Sequence, residues 1–366
     1  MESGSSFKDG HGGNVWRLAR ESGNSWQTVL DFSANINPLG FPAGLKETIL
    51  NYLPTITHYP DPECQALREK LAQLHRIGLE NIIVGNGSTE LLHLLPRALK
   101  LQQGLIIEPA FSEYEKGLRY NGTRPHFLEL SEADGFQLDL AEFEEKLNGM
   151  EIVFLANPSN PTGQVWERSV LEDLLLLCYH NGAFLLVDEA FIDFLDQPER
   201  VSLTPLLNQW DNLLVLRSFT KFYAIPGLRL GYLVGNRRII RRMRERQEPW
   251  SVNLLAQVVG QELLVDQDDF IQRSRILIKE ERAFLAAELG RLDSIKIYPS
   301  QANFLLLRLT QNDLNATTLA QELVQRKLLI RDCSNFRGLN NFYFRIAVRT
   351  RPENEVLIAA LKEILT

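Results

Sequence analysis

The chain has 366 residues, of which 45% are hydrophobic and 23% are charged, and its formal net charge is -7. This length suffices for two or three domains with a buried core, and the acidic balance argues against a general nucleic-acid binder. Three scattered cysteines suggest neither a disulfide framework nor a metal site. The start has no secretory signal, and no apolar run is long enough for a membrane span. We therefore expect a cytoplasmic protein without metal, nucleic-acid or membrane partners.

Two polar segments near the start are candidate ligand contacts. His11 precedes two glycines, which permit close approach of the backbone to a ligand, and a short helix is predicted from Val15. Asn35 and Asn37 lie in the loop DFSANINPLGFP. They either donate amides into a site or form Asx turns.

The next elements predict a phosphate site at the start of a helix. Tyr59 lies in a loop before a helix for which Asp61 is the expected cap. Further along, the strand IIV leads into GNGSTE, where Gly87 ends a turn and Ser88 and Thr89 open an amphipathic helix. Free backbone N–H groups, two hydroxyls and the helix dipole suit a phosphate there. An ordinary Ser/Thr helix cap explains the same residues.

From GLIIEPAF onward, apolar strands alternate with helices. This alternation is typical of a parallel sheet with helices on both faces, in which polar residues at the carboxyl ends of strands collect at one crevice. Asn160 in NPSNPTG, Asp188 in VDEAFIDF and Lys221 in RSFTKFYAIPGLRLGY all fall at such ends.

Lys221 lies between two predicted buried strands, one that includes Leu213–Leu216 and one at Leu228–Val234, and an amine there is costly unless it is neutralised. An imine with an aldehyde cofactor is one way to neutralise it, and Ser218 and Arg229 nearby are candidate anion ligands. The alternative is a lysine on a surface turn.

The C-terminal part changes to an α+β pattern. We predict an N-terminal arm at 1–40, a large domain at 41–255 and a small C-terminal domain at 256–366. Arg331 and Arg345 each interrupt an apolar strand of the last part. Since arginine is rarely buried without a partner, they indicate either anion recognition or internal salt bridges.

Three motifs in this order, NPSNPTG, VDEAFIDF and SFTKFYAIPGLRLGY, resemble the pyridoxal phosphate-dependent aminotransferase superfamily of fold type I. HGGN, DFSANINPLG, YPDP, GNGSTE and PWSVN resemble its threonine-phosphate decarboxylases, the CobD-like enzymes of cobalamin synthesis. Histidinol-phosphate aminotransferases share the scaffold. Such aminotransferases typically carry a tyrosine whose hydroxyl reaches the cofactor ring oxygen, and Phe191 occupies that position here.

The resemblance implies an α/β fold, a large domain with a mostly parallel sheet plus a smaller α+β domain, and pyridoxal 5'-phosphate held as an imine by Lys221. The other implied cofactor contacts are Gly87, Ser88, Thr89, Tyr114 (stacked on the ring), Asn160 (ring oxygen), Asp188 (ring nitrogen), Ser218, Arg229 and, from a second subunit, Tyr59. The implied substrate contacts are His11, Asn35, Asn160, Arg331 and Arg345.

The implied reaction converts L-threonine O-3-phosphate to (R)-1-aminopropan-2-ol O-2-phosphate and CO2 in a homodimer. Lys221, once released, would protonate the carbon that loses CO2. Two alternatives stay open: an aminotransferase acting on a phosphorylated amino substrate, and a binding or regulatory protein that keeps the fold without the chemistry. The intact Lys221 argues against the latter.

Overall fold

The computed structural model describes residues 11–22, 25–311 and 313–365, so residues 1–10 of the predicted arm lie outside the described part. Its strands are β1 (Leu30–Asp31), β2 (Ile82–Asn86), β3 (Gln103–Glu108), β4 (Arg124–Glu129), β5 (Ile152–Ala156), β6 (Phe184–Asp188), β7 (Leu213–Ser218), β8 (Leu230–Gly235), β9 (Ile295–Ile297), β10 (Phe304–Leu309), β11 (Leu328–Leu329), β12 (Arg331–Asp332) and β13 (Tyr343–Ala347). Its helices are α1 (Val15–Ser22), α2 (Leu45–Tyr52), α3 (Gln65–His75), α4 (Ser88–Leu99), α5 (Glu113–Tyr120), α6 (Leu140–Leu147), α7 (Arg168–His180), α8 (Arg237–Arg244), α9 (Leu254–Glu262), α10 (Asp268–Leu289), α11 (Ala316–Gln325) and α12 (Arg351–Leu365).

The central sheet has seven strands in the order β2-β8-β7-β6-β5-β3-β4. All run in one direction except β8, which is antiparallel to both β2 and β7. The predicted, mostly parallel sheet is therefore confirmed. Because β8 is reversed, its beginning lies at the same edge as the carboxyl ends of the other strands.

Helices cover both faces of this sheet, which is why its strands are continuous apolar runs. Within β6, Leu185 and Val187 belong to one buried cluster, whereas Leu186 belongs to a second cluster on the opposite face. The first cluster continues into the small sheet through Phe304 and Phe344. The two sheets thus share a core.

The small sheet is antiparallel, with the order β12-β13-β10-β9. The segment near the N-terminus joins this part of the fold, because Leu30 of β1 pairs in parallel with Leu328 of β11. The predicted domain boundaries at 40 and 255 remain a prediction. Among the described helices, none combines the length and the apolarity that a membrane span needs.

Two predicted boundaries differ from the structure. The helix expected near Asp61 begins at Gln65, and the Asp61 carboxylate accepts a hydrogen bond from the Gln65 N–H at 2.7 Å. The strand expected from Leu228 begins at Leu230, because the preceding Pro226–Leu228 forms a 3-10 turn. Both differences arise from local turns around proline, whose ring restricts the backbone.

Candidate active site

The carboxyl ends of β5, β6 and β7 face a cavity of about 490 Å³. Most of the predicted site residues line it, although they come from segments far apart in the chain. The predicted residues in its wall are His11, Asn35, Ser88, Thr89, Tyr114, Asn160, Asp188, Ser218, Lys221, Arg229, Arg331 and Arg345.

Lys221 follows β7 in a turn that the N-terminal loop holds in place. The Asn37 N–H donates to the Lys221 carbonyl at 3.0 Å, and the Asn37 side-chain amide donates to the Phe222 carbonyl at 2.8 Å. Burial first, and then the charges of Arg345 and Arg229, lower the pKa of Lys221 to about 8. A fraction of this amine is therefore neutral near pH 7, as a nucleophilic lysine requires.

Asp188 ends β6 with a buried carboxylate. Its Oδ2 accepts a hydrogen bond from the Tyr114 hydroxyl at 2.7 Å, and its Oδ1 accepts one from the Ala190 N–H at 3.0 Å. Burial raises the pKa of Asp188 to about 6, even though these two hydrogen bonds act to lower it. At neutral pH the group is an anion suited to a cationic ring N–H.

Tyr114 was predicted to stack on the cofactor ring, and that role remains a prediction. Its hydroxyl is bonded to Asp188, and its ring lies against Phe154 with a centroid distance of 5.5 Å. Sequence reasoning missed Phe111, which lines the cavity edge-on to Tyr114. The position of Phe111 in the sequence could have indicated it, because Phe111 follows the end of β3 just as other site residues follow the ends of their strands.

The start of α4 forms a cradle beside the cavity. Gly87 is the N-cap residue, with φ 76° and no side-chain capping bond, so the hydroxyls of Ser88 and Thr89 are not used as the cap. A Cβ atom on Gly87 would lie 2.3 Å from Nη2 of Arg229, which explains why glycine is needed there. Ser218 ends β7 at the same edge. This combination of a helix N-terminus, hydroxyls and a guanidinium suits a phosphate.

Arg345 on β13 is buried between neutral partners. Its Nη2 donates to the Ser33 carbonyl at 3.1 Å, and its Nη1 donates to Oδ1 of Asn160. Its Nε has no hydrogen-bond partner among the described residues. Burial lowers the pKa of Arg345 to about 10. These partners do not neutralise the guanidinium, so it is suited to a bound anion.

Arg331 on β12 has the same kind of surroundings. Its Nη2 donates to Oδ1 of Asn335 at 2.7 Å, its Nη1 donates to the Asp332 carbonyl, and the guanidinium lies 5.0 Å from the centre of the Phe336 ring. Sequence reasoning missed Arg337, which also lines the cavity and lies 3.7 Å from the centre of the Phe127 ring.

The two asparagines of the N-terminal loop have different environments. Asn37 holds the Lys221 turn, as described above, and also donates to Ser274 at 2.8 Å. Asn35 lines the cavity and is 3% exposed, and its Oδ1 has no hydrogen-bond partner in the described residues. A buried acceptor without a partner is costly, so this atom favours a bound ligand.

Tyr59 and Phe191 complete the predicted set. Tyr59 is 78% exposed, lies outside the cavity and stacks on Trp250 with a centroid distance of 4.6 Å. Its contact across a subunit interface remains a prediction. Phe191 lines the cavity and packs edge-on against Phe304 at 5.1 Å.

Comparisons with known proteins show which proteins this chain resembles. A family model for aminotransferases of class I and II matches residues 27–361. The chain is 40% identical over 361 residues to a threonine-phosphate decarboxylase of Salmonella typhimurium, covering 98% of both chains.

Solved structures show the same similarity. The L-threonine-O-3-phosphate decarboxylase from Porphyromonas gingivalis has a TM-score of 0.82 and 30% identity, over 91% of this chain and 98% of that one. The histidinol-phosphate aminotransferase from Clostridium acetobutylicum has a TM-score of 0.85 and 30% identity, over 92% and 99%. The scaffold therefore does not by itself separate the two activities.

Proposed function

Because the chain belongs to the aminotransferase class I and II family, we propose that it decarboxylates L-threonine O-3-phosphate to (R)-1-aminopropan-2-ol O-2-phosphate and CO2. One observation carries this proposal. A single cavity contains Lys221 and, apart from the cofactor cradle, four further basic side chains, His11, Arg331, Arg337 and Arg345. Such a wall suits a substrate with both a phosphate and a carboxylate. The CobD-like motifs support a role of this reaction in cobalamin synthesis.

The cofactor of this family is pyridoxal 5'-phosphate, and the residues present fit it. The cradle at Gly87 and Arg229 suits its phosphate, and the Asp188 carboxylate suits its ring nitrogen. Asn160 is a candidate for its ring oxygen. When bound, the cofactor supplies an electron sink for the bond that breaks at the substrate α-carbon. Besides the predicted Tyr114, we propose Phe111 as a second candidate for the flat face against the ring, because Phe111 also lines the cavity and the Tyr114 ring is packed against Phe154.

Orientation decides which substrate bond breaks, and the cationic side chains would set it. Arg345 is held by Ser33 and Asn160, so it binds an anion in a fixed direction. Arg331 and His11 would hold the second anion. With both ends of the substrate held, rotation about the α-carbon is restricted. Lys221, whose pKa is about 8, can then carry a proton on Nζ and deliver it to the carbon that loses CO2.

An aminotransferase acting on a phosphorylated amino substrate is the second candidate. The similarity to the Clostridium acetobutylicum enzyme favours it. Phe191 disfavours it, because a phenyl ring cannot donate the hydrogen bond that the tyrosine of such aminotransferases is expected to make.

Incubation of the purified protein and its cofactor with threonine phosphate separates these candidates. Release of CO2 with formation of the phosphorylated amino alcohol, and without a keto acid, supports decarboxylation. A keto acid without CO2 would replace the proposal with transamination. A protein that neither acquires the visible absorbance of pyridoxal phosphate nor alters the substrate would contradict both.

We propose that the protein forms a homodimer and acts in the cytoplasm. Tyr59 is exposed, as are the apolar side chains of Leu53 and Ile56 a few positions earlier in the chain, so this segment is suited to contact with a second copy. In that arrangement Tyr59 reaches the cofactor phosphate of the partner. The molar mass in solution tests the dimer, and a Tyr59→Phe variant with unchanged cofactor affinity would remove the hydroxyl from the site. Three buried free cysteines are compatible with a reducing compartment.

A further inference from the structure

Glu113 connects three basic side chains, one of which, His11, lines the cavity. Its Oε1 accepts hydrogen bonds from Nε2 of His11 at 2.7 Å and from Nζ of Lys116 at 2.9 Å. Its Oε2 accepts one from Nε2 of His93 at 2.9 Å. Burial alone would raise the pKa of Glu113, but the three hydrogen bonds outweigh this effect and lower the pKa to about 2. The carboxylate is therefore ionised at neutral pH.

The ionised state of Glu113 decides which nitrogen of His11 carries the proton. A carboxylate can only accept, so Nε2 of His11 must be the donor in their hydrogen bond. In the neutral ring Nδ1 is then an acceptor. Burial lowers the pKa of His11, the Glu113 carboxylate opposes this shift, and the charges of Lys116 and Arg331 add to it. His11 is therefore mainly neutral at neutral pH before a substrate binds.

A neutral His11 cannot bind a phosphate dianion, because both Nδ1 and the phosphate oxygens are acceptors. Contact requires one proton from solvent on Nδ1, which turns the ring into a cation with two donors. We propose that Glu113 is the positioning residue that holds His11 by Nε2 and stabilises the protonated ring that forms when the phosphate of the substrate binds. This inference rests on the proposed function, since it takes His11 to contact that phosphate.

The geometry supports a specific coupling rather than general packing. Glu113 belongs to α5, whereas His11 lies in the segment before α1, 102 positions earlier in the chain. The His11 side chain is 49% exposed and that of Glu113 is 10% exposed, so the carboxylate is the fixed partner. The His11 ring also lies 5.4 Å from the ring of Phe111, which lines the cavity.

Proton uptake on ligand binding tests the proposal. The holoenzyme is titrated by calorimetry at about pH 8 with (R)-1-aminopropan-2-ol O-2-phosphate and, separately, with the phosphate-free amine, in buffers of different ionisation enthalpy. At this pH the free phosphate is a dianion. The phosphorylated ligand should bind with uptake of up to about one proton more than the phosphate-free ligand. Events at the amine are common to both ligands and cancel in the difference.

Two variants test whether His11 takes up this proton and whether Glu113 supports the uptake. His11→Gln keeps an amide donor but cannot take a proton, so the difference in uptake should disappear. Glu113→Gln should reduce it and raise KM for threonine phosphate about tenfold at pH 8, with a smaller change in kcat, and the KM effect should shrink as the pH falls. His93→Gln is the matched control, because it removes a different partner of the same carboxylate and should leave the uptake unchanged.

The outcomes separate this inference from the proposed function. Wild-type enzyme that binds neither phosphorylated compound refutes the substrate assignment and the inference with it. Wild-type enzyme that releases CO2 but shows no difference in uptake refutes the inference alone, as does an unchanged difference in either His11→Gln or Glu113→Gln. A Glu113→Gln variant that loses affinity equally for the amine without phosphate would show a structural role instead.

Discussion

Replacing Asp188 with asparagine should stabilise the cofactor-free fold near neutral pH while it removes most cofactor-dependent turnover. Among the described residues, the buried Asp188 carboxylate has no cationic hydrogen-bond partner, and its two donors, the Tyr114 hydroxyl and the Ala190 N–H, are neutral. The fold therefore holds a charge that only the bound cofactor would compensate. Function and stability oppose each other at this residue.

The magnitude follows from the pKa of Asp188, which burial raises from an ordinary 3.8 to about 6. A rise of roughly two pH units corresponds to about 3 kcal/mol at 1.36 kcal/mol per unit. In the variant, the side-chain oxygen of asparagine can still accept a hydrogen bond from the Tyr114 hydroxyl. Its NH2 group cannot accept one from the Ala190 N–H, and the loss of that hydrogen bond offsets about 1 kcal/mol. We expect a net gain of about 2 kcal/mol in the free energy of unfolding.

The raised pKa of Asp188 fixes the direction in which the stability difference between wild type and Asp188→Asn changes with pH. Because the folded pKa lies above the unfolded one, the wild-type carboxylate carries no penalty below the unfolded pKa, where it is protonated in both states. The penalty grows as the pH rises and is complete above the folded pKa. The advantage of Asp188→Asn should therefore be full at about pH 8 and small at about pH 4.5.

Urea unfolding of cofactor-free protein at these two pH values measures the effect. The matched control is Asp173→Asn, which makes the same change at an exposed position of α7 and should change the midpoint little. A variant at Asp188 that is no more stable than wild type at pH 8, or whose gain persists at pH 4.5, would refute the reasoning. The loss of turnover is checked in parallel with reconstituted enzyme.

Further predictions concern other residues of the site and the contact between Glu132, in the loop after β4, and the small-sheet region. Lys221→Ala should abolish CO2 release and the absorbance shift on adding substrate while the circular dichroism stays unchanged, and full activity would exclude this lysine from the chemistry. Arg345→Ala should raise KM for threonine phosphate about 10- to 100-fold, as expected for a charged hydrogen bond of roughly 1.5–3 kcal/mol, and Arg345→Lys should not restore it, which steady-state kinetics will show. Gly87→Ala should weaken cofactor affinity at least about tenfold, because its Cβ would lie 2.3 Å from Arg229, and equilibrium titration with the cofactor measures this loss. Glu132→Gln should lower the free energy of unfolding by about 1–2 kcal/mol, because the Glu132 carboxylate accepts hydrogen bonds from two tyrosines, a lysine and an arginine of the small-sheet region. These bonds outweigh the effect of burial and lower the pKa of Glu132 to about 2, so their contribution to stability is present above the ordinary pKa of a glutamate and is lost as the pH falls towards 2. The difference between the thermal unfolding temperatures at neutral and acid pH should therefore be smaller in the variant.

The order of the elements and the residues at the strand ends follow from the sequence alone. Apolar runs that alternate with amphipathic segments have few stable arrangements, so a parallel sheet with covered faces was predictable. Asn160, Asp188 and Lys221 were predictable for the same reason, because polar residues after parallel strands meet at one edge. The family motifs then supplied their chemical roles as predictions.

The contacts between distant segments were decided only by the tertiary structure. Nothing local to Glu113 indicates that it accepts a hydrogen bond from His11, 102 positions away. The pairing of Arg345 with Ser33 likewise joins residues 312 positions apart. The spacing of apolar residues shows which face of a helix or strand is buried, but it does not show which other element packs against that face. The partners of a buried charge, and hence its pKa, therefore depend on how complete elements pack against one another.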